Sequence, residues 1–307
     1  MTFFASHTDP SDRIGQPQDN DVHCWHTTVP AMDVFHCLME NTMLSNSNAH
    51  DMRPHVTLIG AGPGDPELLT LKAVGAIRRA TVLLVDDLVN PAILDHASPR
   101  ARIIHVGKRG GCISTPQSFI EKLMILAVRD GEQVVRLKGG DPFIFGRGGE
   151  EMHHLAAAGI QVEVINGITA GLAASTSLGI ALTHREHAHG VVFITGHNRP
   201  GDAPIDWARL AQTAHLCQLT LVIYMGMAQM SMIETGLAQG LPATTPAAVI
   251  QRASLPEQRH IICTLGDLCH TIETHQLASP SIIVVGPVVS TANLTALITQ
   301  QPAVIAA

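Results

Sequence analysis

Aromatic residues make up only 3% of this 307-residue chain: two Trp, one Tyr and seven Phe. A surface that binds single strands by stacking bases needs such rings, so a base-stacking platform is excluded. Basic charge is also short, with 19 Lys and Arg against 26 Asp and Glu and a formal net charge of −7. General nucleic-acid binding rests on phosphate neutralisation by Lys and Arg, and this balance argues against it. An anionic small substrate stays open, because charges more than about 8 Å away are largely screened at physiological salt. Long apolar runs are missing too. Val82–Val85 and Ser281–Gly286 fall far short of a membrane span. No basic, then apolar, then small-residue leader opens the sequence, which argues against secretion. The six cysteines, Cys24, Cys37, Cys112, Cys217, Cys263 and Cys269, show no framework spacing. They read as free thiols in a reducing compartment, so the expected location is cytoplasmic.

What is present is a chain of 46% hydrophobic and 15% charged residues, too apolar for disorder and long enough for two domains. Residues 1–54 are rich in His, Asn, Asp, Ser and Met, and they predict a flexible extension with at most a short helix over Ala31–Met43. From residue 55 a regular alternation begins. Val56–Ile59 reads as a buried strand ending in glycines. Asp65 is placed to cap a helix with Pro66 in its first turn, continued by Leu68, Leu69, Ala73, Ala76 and Ile77. Strands are expected at Thr81–Val85, Ile103–Val106, Gln133–Leu137 and Gln161–Ile165, and helices from Pro116 to Gly131 and over Glu150–Ala158. Asn166–Gly167 closes this first unit.

The second unit, 167–290, predicts strands at Val191–Ile194, Leu219–Tyr224, Ala247–Ile250, His260–Leu265 and Ser281–Val285. Its helices are expected near Thr169–Leu178, Ala228–Gln239 and Asp267–His275. Its closing strands look hairpin-like and antiparallel, and 291–307 is a tail. The fold class is therefore α/β, two domains with a ligand cleft between them.

Several segments carry chemistry. The loop Gly60-Ala61-Gly62-Pro63-Gly64-Asp65-Pro66 joins a strand to a helix, but it breaks the dinucleotide fingerprint, with Asp65 at the third glycine position. The stretch Arg136 to Glu151 holds five glycines between Gly139 and Gly149, more than a turn needs, together with Phe143, Phe145 and Arg147. Asp86 ends one strand, while Lys108 and Arg109 follow another among glycines. A carboxylate and cations at neighbouring strand ends make a catalytic pairing plausible. Asn166-Gly167-Ile168-Thr169-Ala170 opens a helix with free N–H donors. Leu182-Thr183-His184-Arg185 and Tyr224-Met225-Gly226-Met227 complete the set. Histidines and cysteines cluster at His23, Cys24, His26, His36 and Cys37 and again at His184, His187 and His189, but neither set has a structural zinc spacing, so no metal is expected.

From about His55 to Val289 the chain resembles the tetrapyrrole methylases. The resemblance is carried, in order, by GAGPGDP with LLT following, VGKRGG, RLKGGDPFIFGRGGEE, NGITAGLA, GIALTHR and YMGM. It covers about three quarters of the chain. It implies two α/β domains with S-adenosylmethionine in the cleft, a homodimer, and methylation of uroporphyrinogen III at C2 and C7. The product precorrin-2, reached through precorrin-1, would feed siroheme and cobalamin synthesis. Carried over by residue, cofactor contacts fall on Pro63, Gly139, Gly140, Asp141, Ile144, Thr169, Ala170, Met225 and Ala253. The family's proton acceptor matches Asp86 and its proton donor Lys108. The family usually has Tyr before that Asp, and here Val85 stands there. Residues 1–54 are too few to supply the module fused upstream in bifunctional siroheme synthases, so a single-function methyltransferase is expected.

The placement of Lys108, Arg109, Arg147 and Arg185 in glycine-rich or strand-end loops makes them candidates to grip the carboxylates of such a substrate. The alternatives are a methylase of the same fold acting on a later corrin intermediate, on a diphthine precursor or on ribosomal RNA, a nicotinamide-dependent dehydrogenase, and a non-catalytic ligand-binding regulator. The broken GxGxxG counts against the dehydrogenase. The acidic balance and scarce rings count against RNA.

Overall fold

The computed structural model describes residues 55–107, 115–197, 201 and 203–292. The expected extension over 1–54 and most of the tail lie outside them, as do Lys108 and Arg109. Ten strands form two five-stranded sheets.

The first sheet contains β1 (His55–Gly60), β2 (Val82–Val85), β3 (Arg102–His105), β4 (Val134–Lys138) and β5 (Gln161–Ile165), in the order β3-β2-β4-β1-β5. All four pairings are parallel. Such a sheet is covered on both faces, which is why β2 reads as a continuous apolar run and why β4, which carries Arg136 and Lys138 among Val134, Val135 and Leu137, is likewise buried at every residue. The edge strand β3 instead alternates between half-buried and exposed positions. The covering helices are α1 (Leu71–Arg79), α2 (Gln117–Arg129) and α3 (Gly148–Ala157).

The single helix expected after Asp65 is two elements. Asp65 caps a short 3-10 turn over Pro66–Leu68, accepting the Glu67 N–H. Leu69 and Thr70 are then extended, and the Thr70 hydroxyl accepts from the Ala73 N–H to start α1 afresh. With Leu69 and Thr70 extended, the Ala73 N–H lacks a helical carbonyl partner, and the Thr70 hydroxyl satisfies it as the cap. Leu71, left 91% exposed, shows that the apolar period restarts at this point.

The second sheet contains β6 (Gly190–Thr195), β7 (Leu219–Tyr224), β8 (Pro246–Gln251), β9 (Arg259–Thr264) and β10 (Ser281–Val285), in the order β6-β7-β10-β8-β9. Only β6 and β7 pair in parallel; the other three pairings are antiparallel, as the hairpin-like pattern predicts. Helix α4 (Ala170–Ser177) packs on one face beside Val222, Ile250 and Val284. On the other face α5 (Trp207–Cys217), α6 (Met230–Leu237) and α7 (Leu268–Thr274) cover Leu221, Val249 and Ile283. The helix expected over Ala228–Gln239 is a 3-10 turn at Met227–Gln229 followed by α6.

Candidate active site

Because β1 to β5 are parallel, their C-terminal ends share one edge, the side on which ligands bind in open α/β sheets. The glycine turns after β1 and β4 join there through backbone alone. Gly62 N–H donates to the Gly140 carbonyl at 3.2 Å, Gly140 N–H donates to the Gly62 carbonyl at 2.7 Å, and Ala61 N–H donates to the Lys138 carbonyl at 2.8 Å. The turn after β5 packs onto the same point, so closely that a Cβ on Gly60 would lie 2.6 Å from the Gly140 carbonyl oxygen and collide with Gly167. Glycine is required at Gly60 and Gly167 by this close approach and is favoured at Gly140 by its φ of 67°.

Above this junction lies a cavity of about 830 Å³ lined from both domains. The first domain contributes Gly62, Pro63, Asp86, Leu88, Lys138, Gly139, Gly140, Ile144 and Phe145; the second contributes Thr169, Ala170, Tyr224, Met225, Arg252 and Ala253, among others. Seven non-glycine residues have positive φ among the described residues, and Phe145, Met225 and Arg252 of these line the cavity. Such strain persists only where surrounding structure imposes it, and it gathers at ligand sites. Met225 lines the cavity at φ 54° and is 51% exposed.

Of the residues expected to touch cofactor, Pro63, Gly139, Gly140, Ile144, Thr169, Ala170, Met225 and Ala253 all line this cavity, and so does Asp86. Asp141 does not. It is buried, and its carboxylate accepts from the N–H of Phe143 (2.8 Å), the Asn166 amide (3.0 Å) and the N–H of Gly167 (3.1 Å). It holds the loops of β4 and β5 together behind the lining. Arg147 lies outside the lining in a left-handed conformation, its guanidinium bound to Glu150 at 2.6 Å. Arg185 is exposed and also outside the lining. Although Lys108 and Arg109 are beyond the described residues, the loop that carries them begins against the site: a Cβ on Gly107 would collide with Asp87.

Four features had no assigned role in the expectation, although Phe145 and Tyr224 fell within its motifs. The first is a buried charge cluster beneath Asp86. Arg136 and Lys138 lie in the buried strand β4, and both reach Glu151 Oε1, at 3.3 and 3.0 Å. Burial and the neighbouring Arg136 charge lower the Lys138 pKa, against the opposing pull of Glu151. The second is Tyr224, whose hydroxyl lies 2.8 Å from Thr169 Oγ1 and accepts the Gly171 N–H at 2.8 Å. Burial pushes its pKa up. The third is Phe145, packed on the Tyr224 ring at 4.8 Å. The fourth is Arg252, a cation of the lining that the sequence pattern did not single out.

A second depression, of about 870 Å³, lies between Asp65, Pro66, Ile168, Leu172, Leu255 and His260, among others, and its lining contains no expected site residue. Among the described residues one group could hold a metal ion: His184, Glu186 and His187, with ligand atoms within 4.8 Å of one another. The His184 Nδ1 there already accepts the Glu186 N–H, and no residue of the group lines the cavity.

The pattern of the Tetrapyrrole (Corrin/Porphyrin) Methylases matches residues 55–269. The chain belongs to the tetrapyrrole methylases. It is similar to a uroporphyrinogen-III C-methyltransferase of Pseudomonas aeruginosa, at 52% identity over 77% of this chain and 95% of that protein. It is also similar to a siroheme synthase of Azotobacter vinelandii, at 46% identity over 76% of this chain but only 50% of that protein. Among solved structures, a uroporphyrin-III C-methyl transferase from Thermus thermophilus in complex with S-adenyl homocysteine is 37% identical, with a TM-score of 0.66 over 77% of this chain and 99% of that one. The cavity suits the family's methyl donor. Its lining joins glycine backbone to the apolar side chains Leu88, Ile144, Ala170 and Ala253 and to the carboxylates Asp86, Asp87 and Glu257.

Proposed function

We propose that this tetrapyrrole methylase transfers methyl groups from S-adenosylmethionine to C2 and C7 of uroporphyrinogen III, giving precorrin-2 through precorrin-1. The observation that carries the reading is the backbone pairing of the two glycine turns at Gly62 and Gly140, which opens one cavity to a ligand from β1, β4 and the facing domain at once. In each transfer the sulfonium carbon–sulfur bond breaks with its electron pair going to sulfur, a carbon–carbon bond forms from the electron-rich pyrrole, and one proton leaves. Donor and acceptor are already reactive, so alignment supplies most of the rate. Asp86 faces the charge that develops on the ring and takes the proton, while Lys108 returns a proton or grips a carboxylate.

Arg109, Arg147 and Arg185 are proposed contacts for the substrate's carboxylates, and Arg252 joins them because it lines the cavity. For Arg147 this requires release from Glu150. Use of the product in cobalamin as well as siroheme synthesis, a cytoplasmic location, a homodimer and a domain boundary at 166/167 belong to the same reading; light scattering tests the dimer. No described helix is long and apolar enough to cross a membrane.

Incubation with uroporphyrinogen III and methyl-labelled S-adenosylmethionine tests the activity. Two labels per macrocycle are expected, with S-adenosylhomocysteine binding detectable by calorimetry and NAD giving no heat. Absence of label in the macrocycle, with the cofactor product bound, would reject the substrate and keep the cofactor. Heat with NAD alone would reject both.

A further inference from the structure

The Asp86 carboxylate ends β2 at the rim of the cavity, with its side chain 36% exposed and the like-charged Asp87 beside it. Within its own segment Asp86 Oδ1 accepts the N–H of the adjacent Asp87 at 3.2 Å, which leaves Oδ2 to be held from elsewhere. The group that reaches it from below is Arg136, whose Nη2 lies 3.7 Å from Asp86 Oδ2.

That guanidinium is held on its other sides. Nη1 donates to the Leu137 carbonyl at 3.0 Å and the Leu84 carbonyl at 3.4 Å, and Nε donates to Glu151 Oε1 at 3.3 Å. A guanidinium is planar and its donors form a rigid fork, so fixing two nitrogens fixes where the third points. Leu84 stands two residues before Asp86, so the fork is referenced to the strand it serves. Glu151 is fully buried and is held in turn by Lys138 Nζ at 3.0 Å and the Gln117 amide at 2.8 Å.

Stability is a poor reason to keep such a cluster. Buried ion pairs commonly do no better than apolar side chains of the same volume, because desolvation offsets their attraction. Direction is a better reason. We propose that Glu151 and Arg136 are positioning residues for methyl transfer: Glu151 clamps the guanidinium, and the guanidinium aims the Asp86 carboxylate into the cavity. The inference rests on Asp86 acting as the proton acceptor.

A kinetic cycle tests it, with kcat, KM for uroporphyrinogen III and S-adenosylhomocysteine affinity measured in the wild type, Glu151→Gln, Asp86→Asn and the double variant. Glu151→Gln is expected to lower kcat by roughly tenfold to a hundredfold, the scale of a misaligned reacting group, with KM and cofactor affinity kept. In the Asp86→Asn background the same change is expected to cost less than about twofold, because a residue acting through Asp86 has nothing left to act on. An equal loss in both backgrounds would make Glu151 structural and overturn the proposal, as would wild-type kcat in Glu151→Gln. Wild-type turnover in Asp86→Asn is a different result: it rejects Asp86 as acceptor and removes the basis for positioning.

Should Glu151→Gln fail to fold, Arg136→Lys runs through the same cycle. It keeps the buried charge but cannot make the four contacts together, so the same dependence on Asp86 is expected. Unchanged kcat in Arg136→Lys overturns the proposal.

Discussion

The two domains bury different kinds of atoms. Among the described residues, the buried Asp, Glu, Lys and Arg side chains are Glu121, Arg136, Lys138, Asp141 and Glu151, all in the first domain. The buried polar side chains of the second domain beyond α4 are uncharged: Thr220, Thr245, Gln251 and Ser281. The parallel sheet brings five strand ends to one edge and places charge beneath it. The largely antiparallel sheet supplies Met225 and Ala253 to the cavity over a core of Leu221, Ile223, Val249 and Ile283. The difference implies a division of labour, with proton handling on one side of the cleft and shape on the other.

The change that should break this division most severely is Gly60→Ala. Its Cβ has backbone rather than flexible side chain in the way, so the first domain is expected to lose about 4 kcal/mol or more and to accumulate as insoluble protein. The contrast sharpens with Ile283→Ala in the second core, which is expected to cost about 2–5 kcal/mol in urea unfolding while leaving kcat at low temperature near wild type. Asp86→Asn should do the reverse, lowering kcat on the order of a hundredfold with an unchanged urea midpoint. Tyr224→Phe tests the seam between the domains. It strands the buried Gly171 N–H and should cost about 1–3 kcal/mol, with weaker S-adenosylhomocysteine binding by calorimetry.

The smallest effect is on the alkaline side. Burial pushes the Cys263 thiol from 9.0 up to about 11. Between those values the unfolded chain has released a proton that the native protein retains, so stability falls as pH rises. Cys263→Ala should flatten that slope in denaturation curves between pH 9 and 11, and an unchanged slope would assign it to other groups.

Strands were the most legible part of the sequence, because short apolar runs bounded by glycines such as Val56–Ile59 and Ser281–Val285 have few other meanings. Helix α5 was missed although its signals are present: Asp206 accepts the Arg209 N–H as a cap, and Trp207, Ala211 and Ala214 follow at helical spacing. The cavity lining was legible where glycine density or family resemblance marked it. The cluster under Asp86 was not: Arg136 falls within the expected strand Gln133–Leu137, but only the register that sets β4 between β1 and β2 brings it beside Asp86. Arg147 shows the opposite error. Its setting among glycines advertised a free cation, and only the structure reveals Glu150 one helical turn away.

The contact among Gly60, Gly140 and Gly167 restricts what this scaffold can become. A side chain at Gly60 or Gly167 would push into the backbone of the neighbouring loops, and one at Gly140 would strain its left-handed backbone, so the junction resists change one position at a time. Variation that retunes the choice of macrocycle must therefore enter through the rim, in the segment following β2, where Leu88 is 62% exposed, and in the facing turn at Arg252.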